Sequence, residues 1–250
     1  MSEILENDQL RAEVSSIGAQ LQVLQFKPMR LDMIRPDDGQ APNGAGSLLQ
    51  NAPFEVRSEL RDEKGSRATF AATAQGFDLA RTYSIPKNEA CVSVEETLSA
   101  SNESELNLLW GWRIALATPF IDSSCRIETP AVSYFDSRDQ PILRLRWPTL
   151  ANGTNLATAR CAGAESRRLF LTDFNEGLCA IENASRKMRM ELRWDPAPFP
   201  YCWIEEKAGQ LSMGAFSGLP SAAEDGHGLI TVSRTEPMKT RFEVRVAQLA

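Results

Sequence analysis

The chain has 250 residues, of which 42% are hydrophobic and 24% charged. That is the composition of a folded globular protein and excludes a disordered or fibrous chain. Its 27 Lys and Arg stand against 33 Asp and Glu, a net charge of −6, so the basic footprint of a nucleic-acid binder is missing and the mild, dispersed acidity reads as solubility.

By size alone the chain could form one or two domains, but all-β folds often run to about 250 residues as one unit. Its composition looks uniform, so a single domain over residues 1–250 is expected. Glu3, Glu6 and Asp8 stand where an export signal would place basic residues before an apolar core. No apolar run approaches the roughly 20 residues of a membrane helix. A cytoplasmic protein without a membrane partner is expected.

The five cysteines, Cys91, Cys125, Cys161, Cys179 and Cys202, are widely spaced, with no CxxC pair and no Cys/His cluster. Buried free thiols are expected, not a zinc site. The one histidine, His227, lies in Glu224-Asp225-Gly226-His227-Gly228, which reads as a solvated turn. A lone imidazole rules out a multi-histidine metal centre and leaves any Ser-His or Cys-His arrangement a single possible base. Neither a GxxxxGK[ST] phosphate loop nor a GxGxxG turn occurs, and Gly44-Ala45-Gly46 lacks the third glycine. No metal or cofactor is expected.

Period-two alternation recurs along the chain, the mark of half-buried strands. Leu10, Ala12 and Val14 alternate with Arg11 and Glu13, and Leu21 and Val23 with Gln20 and Gln22. Ser93 separates Val92 from Val94. Leu143, Leu145 and Trp147 alternate with Arg144 and Arg146; Met188, Met190, Leu192 and Trp194 with Arg189, Glu191 and Arg193; Phe242, Val244 and Val246 with Glu243 and Arg245. Turn signals fall between the runs at Asn7-Asp8, Pro36-Asp37-Asp38-Gly39, Pro86-Lys87-Asn88, Asn152-Gly153, Asn175-Glu176-Gly177 and Asp195-Pro196. The Gly-, Pro- and Asp-rich stretch 36–51 reads as a long loop. Helical periodicity over 12 residues is not sustained anywhere. The pattern predicts an all-β protein, a large antiparallel β-sandwich.

The segment 106–120, centred on Trp110-Gly111-Trp112-Arg113, resembles the histidine strand of the aldose 1-epimerase (galactose mutarotase-like) superfamily. Ala80 to Ile85 and Val92 to Asn102 look like the strand pair before it, and Trp194 to Trp203, with Pro198-Phe199-Pro200, resembles the family's "fP-x-x-W" strand. The opening hairpin through Gly18-Ala19 and the closing strand after Thr235-Glu236-Pro237 fit the same order. The resemblance covers most of the chain. It implies one large β-sandwich whose concave face binds a monosaccharide or a modified sugar.

In that family a histidine acts as general acid on the ring oxygen and a glutamate as general base on the anomeric hydroxyl, two groups that change protonation near neutral pH. Here Arg113 occupies the histidine position. A guanidinium with a pKa above about 12 is no proton donor at neutral pH, though it can hold an oxyanion or hydroxyl through paired N–H bonds. The expected place of the base, 211–218, carries no carboxylate, and Phe216 falls in its slot; Gln50-Asn51-Ala52-Pro53 is the nearest match to a sugar-holding Asn-Arg pair and lacks the arginine.

The residues singled out for sugar binding are Arg113, Asp173, Arg81, Trp203 and Tyr201. Glu205 and Glu206 are candidate replacement bases if catalysis survives. The structural readings stand beside these: Arg113 capping a tryptophan-rich core edge, Asp173 forming a turn, Arg81 in a surface ion pair, and Glu205-Glu206-Lys207 in a solvated turn. Three functions follow: a carbohydrate-binding protein without the usual acid–base pair, a divergent sugar isomerase using other residues, or a non-catalytic protein-interaction scaffold.

Overall fold

The computed structural model describes residues 2–34, 49, 51–74, 76–136, 144–150, 152–159 and 166–250. In chain order the strands are β1 (Ser2–Glu6), β2 (Leu10–Ser15), β3 (Leu21–Phe26), β4 (Leu31–Asp32), β5 (Glu55–Asp62), β6 (Gly65–Ala74), β7 (Phe77–Pro86), β8 (Cys91–Ala100), β9 (Leu106–Leu108) and β10 (Gly111–Ala117). There follow β11 (Cys125–Glu128), β12 (Ser133–Asp136), β13 (Arg144–Arg146), β14 (Arg167–Thr172), β15 (Gly177–Asn183), β16 (Met188–Trp194), β17 (Tyr201–Lys207), β18 (Gln210–Phe216), β19 (Ile230–Val232) and β20 (Met238–Gln248). Among the described residues, helix is confined to a 3₁₀ turn at Lys27–Met29 and one turn at Ala222–Asp225. None is long and apolar enough to cross a membrane.

The strands form an eight-stranded sheet in the order β11-β15-β16-β20-β8-β7-β6-β5, a six-stranded sheet in the order β10-β18-β17-β14-β12-β13, a four-stranded meander β1-β2-β3-β4 and the pair β19-β9. Every named strand pairing is antiparallel. The two large sheets stack because each has one apolar face to bury. Phe242 and Val244 point inward from the eight-stranded sheet, and Trp112 and Ile114 from the six-stranded one; the Trp112 ring stacks on Phe242 with centroids 5.8 Å apart. The expected β-sandwich is thus present.

The predicted alternations of β2, β16 and β20 appear as written, with Leu10, Ala12, Val14, Met188, Met190, Leu192, Phe242 and Val244 fully buried. The run Leu21/Val23 does not hold. The β2–β3 register shifts between Glu13 and Val14, and Leu24 takes the buried place that Val23 only half fills. The loop expected over 36–51 lies mostly outside the described residues, as do Leu143 and Cys161. The other four cysteines are free and buried. Burial pushes the Cys91 thiol up to about 11 and those of Cys125 and Cys202 above the ordinary range, so at neutral pH they stay protonated and unreactive. No group of three metal-ligating side chains occurs among the described residues.

The corner between β10 and β11 is fixed by one carboxylate. Asp122 accepts from the Ser124 amide at 2.8 Å and hydroxyl at 2.6 Å with one oxygen, and from Asn183 Nδ2 and the Ser185 hydroxyl at 2.9 Å each with the other. Partial burial works against the charge, but these four donors outweigh it and hold the carboxyl down at about 2. A depressed carboxyl stabilises the fold above its unfolded pKa, and that stabilisation is lost as pH falls through the folded value. The protein should therefore lose on the order of 1 kcal/mol, after discounting for solvent, between about pH 4 and pH 2. Urea midpoints followed across this window should fall less steeply in Asp122→Ala. An identical slope in the variant would remove Asp122 from the acid transition.

Candidate functional site

On the six-stranded sheet, alternate residues of each strand fill the sandwich, among them Trp112 and Ile114 of β10 and Cys202 and Ile204 of β17. The intervening residues point the other way. Register aligns them in a continuous row across all six strands: Arg113 opposite Gly214, Gly214 opposite Trp203, Trp203 opposite Phe170, Phe170 opposite Phe135, and Phe135 opposite Arg144. At about 4.8 Å per strand, this row spans roughly 24 Å. A parallel row runs Ala115, Ser212, Glu205, Arg168.

Glycine at 214 makes the centre of the first row possible. A Cβ there would lie 2.5 Å from Arg113 Cβ and 2.7 Å from the Trp112 carbonyl. With hydrogen in that place, the Arg113 side chain crosses β18 and sets its guanidinium carbon 5.0 Å above the Trp203 ring centroid. Arg168 approaches the same indole at 5.8 Å. Gly111 plays the matching role one step along, where a Cβ would meet the Phe216 ring at 2.3 Å. Phe170, Trp203 and Phe216 form a small buried cluster separate from the main core, with Phe135 and Leu219 packed against it.

Charged groups surround this aromatic floor. Glu205, only 4% exposed, accepts from Arg168 Nη2 at 2.6 Å and lies 3.2 Å from Lys207 Nζ. At the far end of the row Asp173, with a left-handed φ of 62°, is held by Arg144 through Nε at 3.0 Å. The Arg144 hydrogen bond, joined by one from Ser133, keeps the Asp173 carboxyl below the ordinary carboxylate range against the opposing effect of burial. Tyr201 lies beside Phe135, ring centroids 6.4 Å apart, on the Trp203 side of its strand.

Of the residues singled out in the sequence, Arg113, Trp203, Tyr201 and Glu205 come together on this face, and Asp173 sits at its edge. Two do not belong to it. Arg81 lies on β7 in the other large sheet, buried, with Nε donating to Glu96 at 2.6 Å and Nη1 to the Gly18 and Ala19 carbonyls. It is neither the pocket residue nor the surface ion pair expected. Glu206 points into the sandwich, fully buried against Arg167; adjacent residues of a strand face opposite sides, so Glu205 and Glu206 cannot share one site.

The role given to Trp203 also changes. Its ring carries Arg113 and is fully buried, so it is a floor beneath a guanidinium and not an open stacking platform. Arg168 has no place in the sequence reading, and Arg144 and Lys207 enter it only as members of an alternation and a turn, not as site residues. The alternation Arg168, Phe170, Thr172 in β14 was the available signal, hidden by apolar neighbours at Leu169 and Leu171. His227 is exposed, its amide donating to Asp225 at 2.8 Å. Its carbonyl packs against Gly218, two residues past Phe216.

Two stacked antiparallel sheets, one carrying a cationic and aromatic row on its outward face, define the class of protein as a β-sandwich with a candidate polar-ligand face. The particular fold is galactose mutarotase-like. The Slr1438 protein from Synechocystis sp. PCC 6803 superposes with a TM-score of 0.77 at 13% identity, over 99% of this chain and 96% of that one. A galactose mutarotase-like protein from Clostridium acetobutylicum gives 0.74 at 14%, over 98% and 95%. A galactose mutarotase related enzyme from Lactobacillus acidophilus gives 0.75 at 12%, over 100% and 98%. The sequence matches no family model, and no curated protein matches it. The likeness is one of architecture.

Proposed function

We propose that this is a carbohydrate-binding protein whose outward six-stranded face takes a monosaccharide or a modified sugar, without the histidine–glutamate proton shuttle of the aldose 1-epimerases. The observation that carries the reading is the row from Arg113 to Arg144, which sets donors at both ends of an aromatic floor in a fold otherwise associated with sugar epimerases. Sugars suit such a surface because hydroxyls take the polar rim while a C–H face covers apolar carbon, here the half-buried rings of Phe135 and Tyr201. Arg113 keeps its proton at all working pH values, so it binds and orients but does not transfer. Losing one partner of an acid–base pair costs about 10²–10⁴-fold in rate.

A second reading, a divergent sugar isomerase, is favoured by one specific feature: Glu205 is a buried carboxylate on the same face, beside Ser212. Exchange between sugar anomers followed by NMR separates the two readings. The expected result is an exchange rate for glucose and galactose equal to that of buffer, together with a rise in thermal midpoint as sugar is added; a ligand at 100 times its Kd stabilises the fold by about 2.7 kcal/mol. Exchange that accelerates in proportion to protein, and that Glu205→Gln or His227→Ala abolishes, would establish the isomerase instead. No response in either experiment would leave the scaffold reading.

A further inference from the structure

We infer that the ligand of this face carries an anionic group, a carboxylate or a phosphate, received by Arg113 and Arg168 above the Trp203 indole. The inference rests on the sugar-binding reading and names the class of sugar. Its first ground is charge. Register places Arg113, Arg144, Arg146, Arg168 and Lys207 on this face, against the carboxylates of Glu205 and Asp173. The described part of the face thus has five cations to two anions in a protein of net charge −6. Acidic proteins concentrate positive charge in one place where an anion must be gathered from solution.

The second ground is geometry. Both guanidinia approach one indole, at 5.0 and 5.8 Å from its centroid. A guanidinium that rests on a ring engages it through its face, and its N–H donors lie in its plane, where a carboxylate or phosphate accepts two at once. Arg168 is held from one side by Glu205 and its side chain remains 45% exposed, so an oxyanion can reach it.

The third ground is an unmet donor. Trp203 Nε1 is fully buried and has no hydrogen-bond partner among the described residues. An indole N–H can only donate, and buried polar groups in folded proteins are nearly always paired. An oxygen of a ligand anion that reaches the edge of the ring would complete it.

Calorimetric titration of the whole protein with glucose, glucuronate, glucose 1-phosphate, glucose 6-phosphate and inorganic phosphate tests the inference. At least one anionic sugar should bind ten times or more tighter than glucose. That preference should shrink as sodium chloride is raised and should disappear in Arg113→Gln and Arg168→Gln. Trp203→Phe, which removes the indole donor, should weaken the anionic sugar by a larger factor than it weakens glucose. Salt dependence is read on the unaltered protein, so the test stands even if a variant does not fold. Equal affinity for glucose and the anionic sugars, insensitive to salt, would overturn the anionic class and leave the sugar reading intact. Binding of inorganic phosphate as tightly as either sugar phosphate, with glucose and glucuronate silent, would overturn the sugar reading, and silence from every compound would overturn both.

Discussion

Glu96→Ala is expected to destabilise the protein by about 3–5 kcal/mol, the usual effect of stranding a buried charge by removing its partner. Glu96 is 2% exposed. One of its oxygens accepts from Arg81 Nε at 2.6 Å and the other from Trp110 Nε1 at 2.8 Å. The consequences spread because Arg81 also donates to the Gly18 and Ala19 carbonyls, and the Tyr83 hydroxyl to Ala19 at 2.7 Å. Ala19 needs that support, since its φ of 44° is a conformation a residue with a Cβ seldom adopts. The carboxylate therefore ties three pieces of the molecule together: the β2–β3 hairpin, strand β7 and the Trp110 segment that leads into Arg113. Burial alone would lower the Arg81 proton affinity, and in the parent Glu96 beside it holds the guanidinium above its ordinary range; because a guanidinium is not deprotonated in proteins, removing Glu96 strands the charge and does not neutralise it. Urea unfolding reads the loss directly. The double variant Glu96→Ala with Arg81→Ala should lose less than the sum of the two single losses, because the second deletion removes the stranded charge. A loss under about 1 kcal/mol in Glu96→Ala would mean that Arg81 finds water or another acceptor, and that the hub is not what fixes the hairpin.

Much of the sandwich was legible because β2, β16 and β20 each have one wet face, and period two is visible only when the two faces differ. The central strands hide the pattern. All seven residues of β18 are buried, so its sequence Gln-Leu-Ser-Met-Gly-Ala-Phe does not show which side a ligand would see. In β14, Leu169, Phe170 and Leu171 run together as one apolar block, and Arg168 was lost beside them. Arg113 could be placed by its motif, but its companions could not. Gly214 lies 101 positions and Trp203 90 positions from it in sequence (214 − 113 and 203 − 113), and only the β10-β18-β17 register makes them neighbours. Parity in the sequence already sets Glu205 on the face of Tyr201 and Trp203, yet Glu206 stays a candidate base beside it as long as the two read as a turn; the strand that runs through both puts them on opposite faces.

That separation yields a contrast between adjacent carboxylates. Glu206→Ala should cost about 3–5 kcal/mol. Its partner Arg167, 6% exposed at the side chain, donates through Nη2 to Glu206 Oε1 at 2.7 Å, with Nε 2.7 Å from Oε2. Arg167 Nη2 also reaches the Leu156 carbonyl at 3.0 Å, so the pair anchors a loop as well as two strands. Glu205→Ala should cost at most about 1 kcal/mol, because Arg168 and Lys207, 45% and 44% exposed at their side chains, return to water when it is gone. Sugar titration should show the reverse order. The folded fraction of Glu206→Ala should keep the affinity of the parent, since its change lies on the far side of the sheet. In Glu205→Ala, by contrast, Arg168 loses the carboxylate that orients it, and affinity should change. The comparison needs two unfolding curves and two titrations. Equal stability losses would remove the contrast in burial, and an affinity that falls only in Glu206→Ala would mean that the outward face of the six-stranded sheet is not where the ligand sits.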